Sequence, residues 1–186
     1  MKRIKISFIA LALMQMMNTN AGYAQTAASG PTWLEEADVK TSILNNKGQP
    51  TGTAYLKKAT AGMMLFVDLK NLPAGAHGMH FHSKADCSDH EAFKSAGAHV
   101  MPSGKPHGFF HADGPHEGNL PNLMVHADGT AQAEFYTNML TLNGEVSPLQ
   151  DADGSALIIH KSPDDHLTQP IGNSGARLAC ALITTP

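Results

Sequence analysis

Two histidines one residue apart, His80 and His82, stand inside the run Gly75-Ala-His-Gly-Met-His-Phe-His82, and eight of the chain's eleven histidines fall between Gly75 and His116. Successive side chains on a β-strand point to opposite faces, so His80 and His82 share one face while Met79 and Phe81 share the other. Two imidazoles on one face can share one transition-metal ion. Zinc and copper are the ions imidazole suits, with no thiolate needed. A further nitrogen has to arrive from elsewhere in the chain. His160, which ends the apolar run Ala156-Leu-Ile-Ile-His160, is a distant strand histidine able to help complete a planar or distorted nitrogen site.

Residues 87–119 are rich in Gly, Pro and His and carry His90, His99, His107, His111 and His116. A connection of this length is usually functional or disordered. A metal can order such a loop where apolar burial cannot, so the expectation is a metal-organised loop. His107 and His111 also stand four apart, as in helical zinc proteases. Pro106, Gly108, Gly114 and Pro115 break any helix there and argue against that template. The methionines alternate with core positions, as in Met63-Met64-Leu-Phe-Val67, and read as packing rather than as a copper-thioether store.

The elements that must hold these residues are strands. From Ala37 onward short β-type runs alternate with Gly, Pro, Asn and Asp turns, and no long helical period is present. The pattern predicts strands over residues 37–44, 51–58, 62–69, 77–83, 122–127, 130–137, 155–161 and 177–184. Hairpin turns are expected at Asn45-Asn-Lys-Gly48 and Ala127-Asp-Gly129. Eight strands without helices imply an all-β sandwich or closed barrel. The 42% hydrophobic content suits one domain, over residues 37–186, with a proper core.

The first residues do not belong to that fold. Lys2, Arg3 and Lys5 precede an apolar stretch over residues 6–14, and Gly22-Tyr-Ala24 offers small residues where a signal peptidase cuts. The apolar stretch is too short to span a bilayer. A signal peptide over residues 1–24, a flexible leader over residues 25–36 and no membrane anchor are expected. Cleavage removes three of the 13 Lys+Arg and leaves 10 against 16 Asp+Glu, a formal charge of −6 that argues against nucleic acid as a partner. Cys87 and Cys180 are the only cysteines. In an exported chain they can persist as a disulfide or remain two separate buried thiols.

Four segments, in order over about residues 37–184, resemble the signatures of secreted bacterial copper/zinc superoxide dismutases. They are Gly75-Ala-His-Gly-Met-His-Phe-His82, Ser95-Ala-Gly-Ala-His99, His160-Lys-Ser-Pro-Asp-Asp165 and Gly172-Asn-Ser-Gly-Ala-Arg-Leu-Ala-Cys180. The resemblance implies an eight-stranded Greek-key flattened β-barrel, an immunoglobulin-like sandwich with long metal-binding loops. It implies copper on His80, His82, His99 and His160, with His99 bridging to a zinc ion that His107 and His116 also hold. Asp164 would link His80 to His107 as an outer carboxylate, His77 would brace the copper strand, and Cys87 would pair with Cys180. Arg177 would stand beside the copper as a catalytic residue with His99 as proton source. The implied reaction converts superoxide to dioxygen and hydrogen peroxide in the periplasm or outside the cell, and a homodimer is compatible with it. A copper-binding or copper-buffering protein with little turnover is the alternative. His90, His126 and His166 match no motif and read as solvent-facing. Lys84, Lys105 and Lys161 are the cations available to attract a small anion.

One position departs from the family. Its zinc motif reads His-x-Gly-Asp-Leu-Pro, with the aspartate as fourth ligand, whereas this chain has His116-Glu-Gly-Asn119-Leu-Pro. A neutral amide oxygen is a weaker donor than a carboxylate. Three outcomes stay open: weak zinc through Asn119, rescue by His111, Asp113 or Glu117, or no zinc.

Overall fold

The computed structural model describes residues 30–185; the expected signal peptide and the first residues of the expected leader lie outside the described residues. The strands are β1 (Val39–Asn45), β2 (Pro50–Lys58), β3 (Met63–Leu69), β4 (Gly75–His77), β5 (Met79–His82), β6 (Leu123–Val125), β7 (Ala131–Thr137), β8 (Ser155–His160) and β9 (Arg177–Ile183). Turn chemistry sets the hairpins. Asn45 Oδ1 accepts from the Lys47 and Gln49 amides between β1 and β2, and Asp128 Oδ1 accepts from the Thr130 amide between β6 and β7.

Seven strands form one antiparallel sheet in the order β5-β8-β9-β1-β2-β3-β7, and β4 pairs with β6 in a separate two-stranded ladder. Residues at both ends of the large sheet, Phe81 on β5 and Ala131 on β7, share one core with Ile43, Leu56, Leu65, Leu157 and Ile183. A flat sheet could not bring its two edges to one core, so the sheet curls into a flattened barrel. Leu123 and Val125 bring the small ladder onto the same core. The connections that carry β3 to β4 and β7 to β8 cross between distant strand positions, the Greek-key pattern.

The structure corrects one element. The predicted strand over residues 77–83 is two strands with different partners, β4 on β6 and β5 on β8. The switch falls at Gly78, whose N–H donates to the Ser162 carbonyl while its carbonyl accepts from the His160 N–H. A Cβ at Gly78 would lie 2.7 Å from Ser174 Oγ, so only glycine lets the second long loop approach here.

β8 is buried on both faces, which is why its sequence is a continuous apolar run rather than an alternation. Leu157 and Ile159 face the main core. Ala156 and Ile158 face a second cluster with Phe93, Ala96, Cys87 and Cys180. In the antiparallel register His80 lies opposite Ile158 and His82 opposite Ala156. The imidazoles therefore share the face of the second cluster, outside the barrel and beneath the long loops. Cys87 and Cys180 form a disulfide across 93 residues that fastens the first loop to β9. In the chain-entropy account, closing such a loop stabilises the fold by about 4–5 kcal/mol at most. Residues Thr32–Glu36, within the stretch assigned to a leader, form a 3-10 turn, and Trp33 Nε1 donates to Glu134 of β7 at 2.8 Å.

Candidate metal centre

β5 is an edge strand, and an edge strand leaves backbone groups unpaired. Two short pieces of the long loop cover it. The Val100 amide donates to the Phe81 carbonyl at 2.9 Å, the Phe81 amide to Gly118 at 3.0 Å, and the Gly118 amide to Val100 at 2.7 Å. This pairing sets His99 beside His82 and Asn119 beside His80 as isolated bridges. On the other side of β5, a register shift between Ile159 and His160 ends the β8 ladder, and His160 then lies opposite Arg177 of β9. A bulge of this kind re-aims a side chain. Backbone pairing alone has now gathered His80, His82, His99, His160 and Arg177.

The four rings are buried, and one nitrogen from each lies within 4.8 Å of those of the others. In three of them the other nitrogen is committed to an oxygen. His80 Nε2 donates to Asp164 Oδ2 at 2.7 Å, His82 Nδ1 to the Gly97 carbonyl at 3.0 Å, and His160 Nδ1 to the Gly175 carbonyl at 3.1 Å. Those bonds fix the tautomers, leaving lone pairs on His80 Nδ1, His82 Nε2 and His160 Nε2. These three atoms, with His99 Nε2, are buried and have no hydrogen-bond partner among the described residues. Buried polar atoms normally have one. Four orphaned imidazole nitrogens in one cluster fit a copper ion. Burial favours the neutral rings: it drives His82 and His99 well below the ordinary histidine value, and with the nearby His80 it brings His160 down to about 3.

A second group adjoins the first. His116 Nε2 lies 3.1 Å from His99 Nδ1 and 3.3 Å from His107 Nδ1. Ligands about 2.05 Å from a tetrahedral zinc would stand roughly 3.3 Å apart, so the three imidazoles fit three corners of a zinc site. Burial, together with His107, lowers His116 to about 4 and keeps it neutral. The fourth corner does not present a donor atom to the group: Asn119 Oδ1 accepts from the Gly108 amide at 3.3 Å, and its Nδ2 lies 3.1 Å from His107 Nδ1. Among the described residues, His111, Asp113 and Glu117 belong to neither cluster of candidate ligands.

Asp164 joins the two groups. Its Oδ2 accepts from His80 and its Oδ1 from His107 Nε2 at 3.0 Å and from the His166 amide at 2.7 Å. Burial pushes its carboxyl upward, but the hydrogen bonds from His107 and His80 outweigh burial and hold it well below the usual range. Arg177 donates to the carbonyls of Phe93 and Gly97, the latter at 2.7 Å. Gly97 thus receives both Arg177 and His82, which ties the cation to the histidine cluster. Burial lowers the guanidinium somewhat, yet its charge is among the forces that depress His82 and His160. His77 is buried outside the cluster, its ring nitrogens 2.8 Å from the carbonyls of His160 and Pro73.

Three residues escaped the sequence reading. The Gln169 side chain accepts from the His107 amide at 2.9 Å and donates to the His107 carbonyl at 2.8 Å. Asn122 holds the Asp164 peptide in the same reciprocal way, with both bonds at 2.8 Å. His166 is not solvent-facing: its ring packs against Phe109 and Phe110, with Nδ1 3.4 Å from Asp164 Oδ2. His90 likewise lies partly buried against Phe93, whereas His126 is exposed. No local pattern marks Asn122 or Gln169, because their partners are 42 and 62 residues away.

Residues 50–183 match the model of the copper/zinc superoxide dismutase family. The chain is 45% identical, over 73% of its length and 79% of the relative's, to a Cu-Zn superoxide dismutase of Caulobacter vibrioides. A crystal structure of a superoxide dismutase-like protein from Bacillus subtilis superposes with a TM-score of 0.74 at 35% identity, covering 77% of this chain and 97% of that one. The Cu/Zn superoxide dismutase of Brucella abortus superposes with a TM-score of 0.65 at 25% identity, covering 78% of this chain and 98% of that one.

Proposed function

The chain belongs to the copper/zinc superoxide dismutase family, and from that premise we propose that it converts superoxide to dioxygen and hydrogen peroxide at copper held by His80, His82, His99 and His160. The observation that carries the assignment is the set of four buried, unpartnered imidazole nitrogens with the other nitrogen of each ring already occupied. Copper in this site supplies one-electron oxidation of one superoxide and one-electron reduction of a second. The protein supplies the rest. His82 and His160 are held by backbone carbonyls and His80 by Asp164, so the ligand lone pairs are aimed before any metal arrives.

Arg177 provides fixed positive charge beside this cluster. It is anchored by two carbonyls rather than by a carboxylate, so its charge remains available to a small anion. His99 Nε2 faces the copper nitrogens and is the atom at which a proton can be held and given to the reduced product. His99 Nδ1 faces His116, so the same ring belongs to both halves. Zinc chemistry in the second half is structural: His99, His107 and His116 would hold the ion.

Export to the periplasm is part of this reading. The signal-like start of the sequence and the Cys87–Cys180 disulfide support it, and among the described residues no helix is long and apolar enough to cross a membrane. The test is superoxide dismutation per bound copper on the mature chain, with and without added zinc. Copper-loaded, folded protein without turnover would overturn the enzyme reading in favour of copper buffering.

A further inference from the structure

The fourth corner of the zinc half is a hydrogen-bonded unit whose protons can all be placed. Gly108 faces Asn119 with its N–H, so the Asn119 atom there is the acceptor Oδ1, and Nδ2 faces His107. His107 Nε2 lies 3.0 Å from Asp164 Oδ1, an oxygen that also accepts from the His166 amide, so the ring nitrogen is the donor of that pair and the lone pair is left on Nδ1. That lone pair accepts from Asn119 Nδ2. His116 Nε2–H then serves His99 Nδ1, 3.1 Å away. One continuous chain then runs from the loop backbone at Gly108 through Asn119, His107 and Asp164 to His80.

An aspartate at position 119 could not close this chain. It has only acceptor oxygens, which would face the lone pair of His107, and the repulsion is relieved only by taking up an extra proton at that contact or by a metal cation between them. The amide instead donates where an extra proton or a metal would otherwise be required. Asn119 is also firmly placed for the task, being 3% exposed and bridged to His80 of β5.

We propose that Asn119 is a hydrogen-bond lock that takes over the structural role of the zinc ion, closing the zinc half without metal. A divalent zinc ion then enters on three imidazoles only by displacing the lock, and it binds weakly. The inference rests on the assignment of His99, His107 and His116 to the zinc half. The copper half consequently keeps its geometry in zinc-free protein.

The experiment compares the mature wild-type chain with Asn119→Asp and Asn119→Ala. Each is stripped with a chelator, and its thermal midpoint is measured metal-free and during titration with zinc alone. Zinc affinity is read by competition with a chromophoric chelator. Metal-free, both variants should melt below wild type, and zinc should raise the midpoint of Asn119→Asp far more than that of wild type. Asn119→Asp should bind zinc at least about tenfold more tightly than wild type. Asn119→Ala has no lock to displace and should bind zinc no more weakly than wild type. If Asn119→Asp does not fold without metal, the lock is supported, and the affinity comparison proceeds in Asn119→Ala. Weaker zinc binding by Asn119→Ala would make Asn119 a ligand and overturn the proposal. Metal-free variants as stable as wild type would overturn it too. Neither readout uses dismutation, so an inactive copper-loaded protein would count against the enzyme reading alone.

Discussion

Gly172→Ala is the sharpest available test of the Asp164 bridge. Gly172 has φ +60°, and a Cβ there would lie 1.7 Å from Asp164 Oδ1, 2.6 Å from its Cγ and 2.7 Å from His107 Nε2. The left-handed backbone alone costs a residue with a Cβ about 1–2 kcal/mol. The collision adds more, because ordinary contact is near 3.4 Å and the carboxylate must retreat by well over an ångström. That breaks its bonds to His107 and to the His166 amide, 3.0 and 2.7 Å long. A hydrogen bond to a charged group contributes about 1.5–3 kcal/mol. Partial relaxation of the loop returns some of this, so the expected destabilisation is about 3–5 kcal/mol, or on the order of 10 °C in Tm. Metal affinity should fall by about 10- to 100-fold as His80 and His107 lose their shared partner. Gly104→Ala is the control: its φ is also positive, at +69°, but a Cβ there meets nothing within 4 Å. Thermal melts of metal-free and metal-loaded protein, with competition for a chromophoric chelator, give both quantities. If Gly172→Ala loses no more stability than Gly104→Ala and holds metal as wild type does, the Asp164 bridge does not position the two histidines.

Two further outcomes are expected. Arg177→Ala should lower kcat/KM for superoxide by about tenfold or more and weaken inhibition by small anions. Copper content should hold, since Arg177 offers no ligand, and Arg177→Lys should recover part of the rate but not the two carbonyl bonds; unchanged kinetics in Arg177→Ala would remove it from the mechanism. Metal-free protein should lose stability as pH falls. His116 and His160 have folded values of about 4 and about 3, below the ordinary 6.5, so the unfolded chain takes the proton first. Their contribution is complete above about pH 6.5 and is lost on acidification, levelling near pH 4 for His116 and near pH 3 for His160. At about 1.4 kcal/mol per unit, His116 alone accounts for on the order of 3 kcal/mol. Urea midpoints of chelator-treated protein between pH 7.5 and 4 measure this, and a flat profile would mean these rings are not held neutral in the fold.

Strands and the shared face of His80 and His82 were legible because both depend on local period. The alternation in residues 79–82 and the double burial of β8 follow directly from residue types, and the two hairpin turns follow from Asn45, Gly48, Asp128 and Gly129. In sequence Gly78 has the pattern of a strand residue because its flanks alternate correctly; its break comes from Ser162, Ser174 and His160, which are remote in sequence. The same holds for Asn122 and Gln169, whose amides clamp peptides of other loops. A histidine such as His166 carries no sign of whether aromatic rings will cover it. Local pattern reports which face a side chain takes, whereas loop convergence decides what it meets there.

The two halves of the proposed metal centre are supported unequally. On the copper side, two of the four rings are oriented by backbone carbonyls, Gly97 and Gly175, that belong to loop segments pinned by β5, β9 and the disulfide. On the zinc side the corresponding supports are side chains, Asp164, Gln169 and Asn119, reaching between loops. Only His99 and Asp164 belong to both. A change at Asn119 can therefore reach copper through His107 and Asp164 to His80, or through His116 to His99, while His82 and His160 stay fixed. Disturbing the zinc half should reorient two of the four copper nitrogens and leave the other two in place.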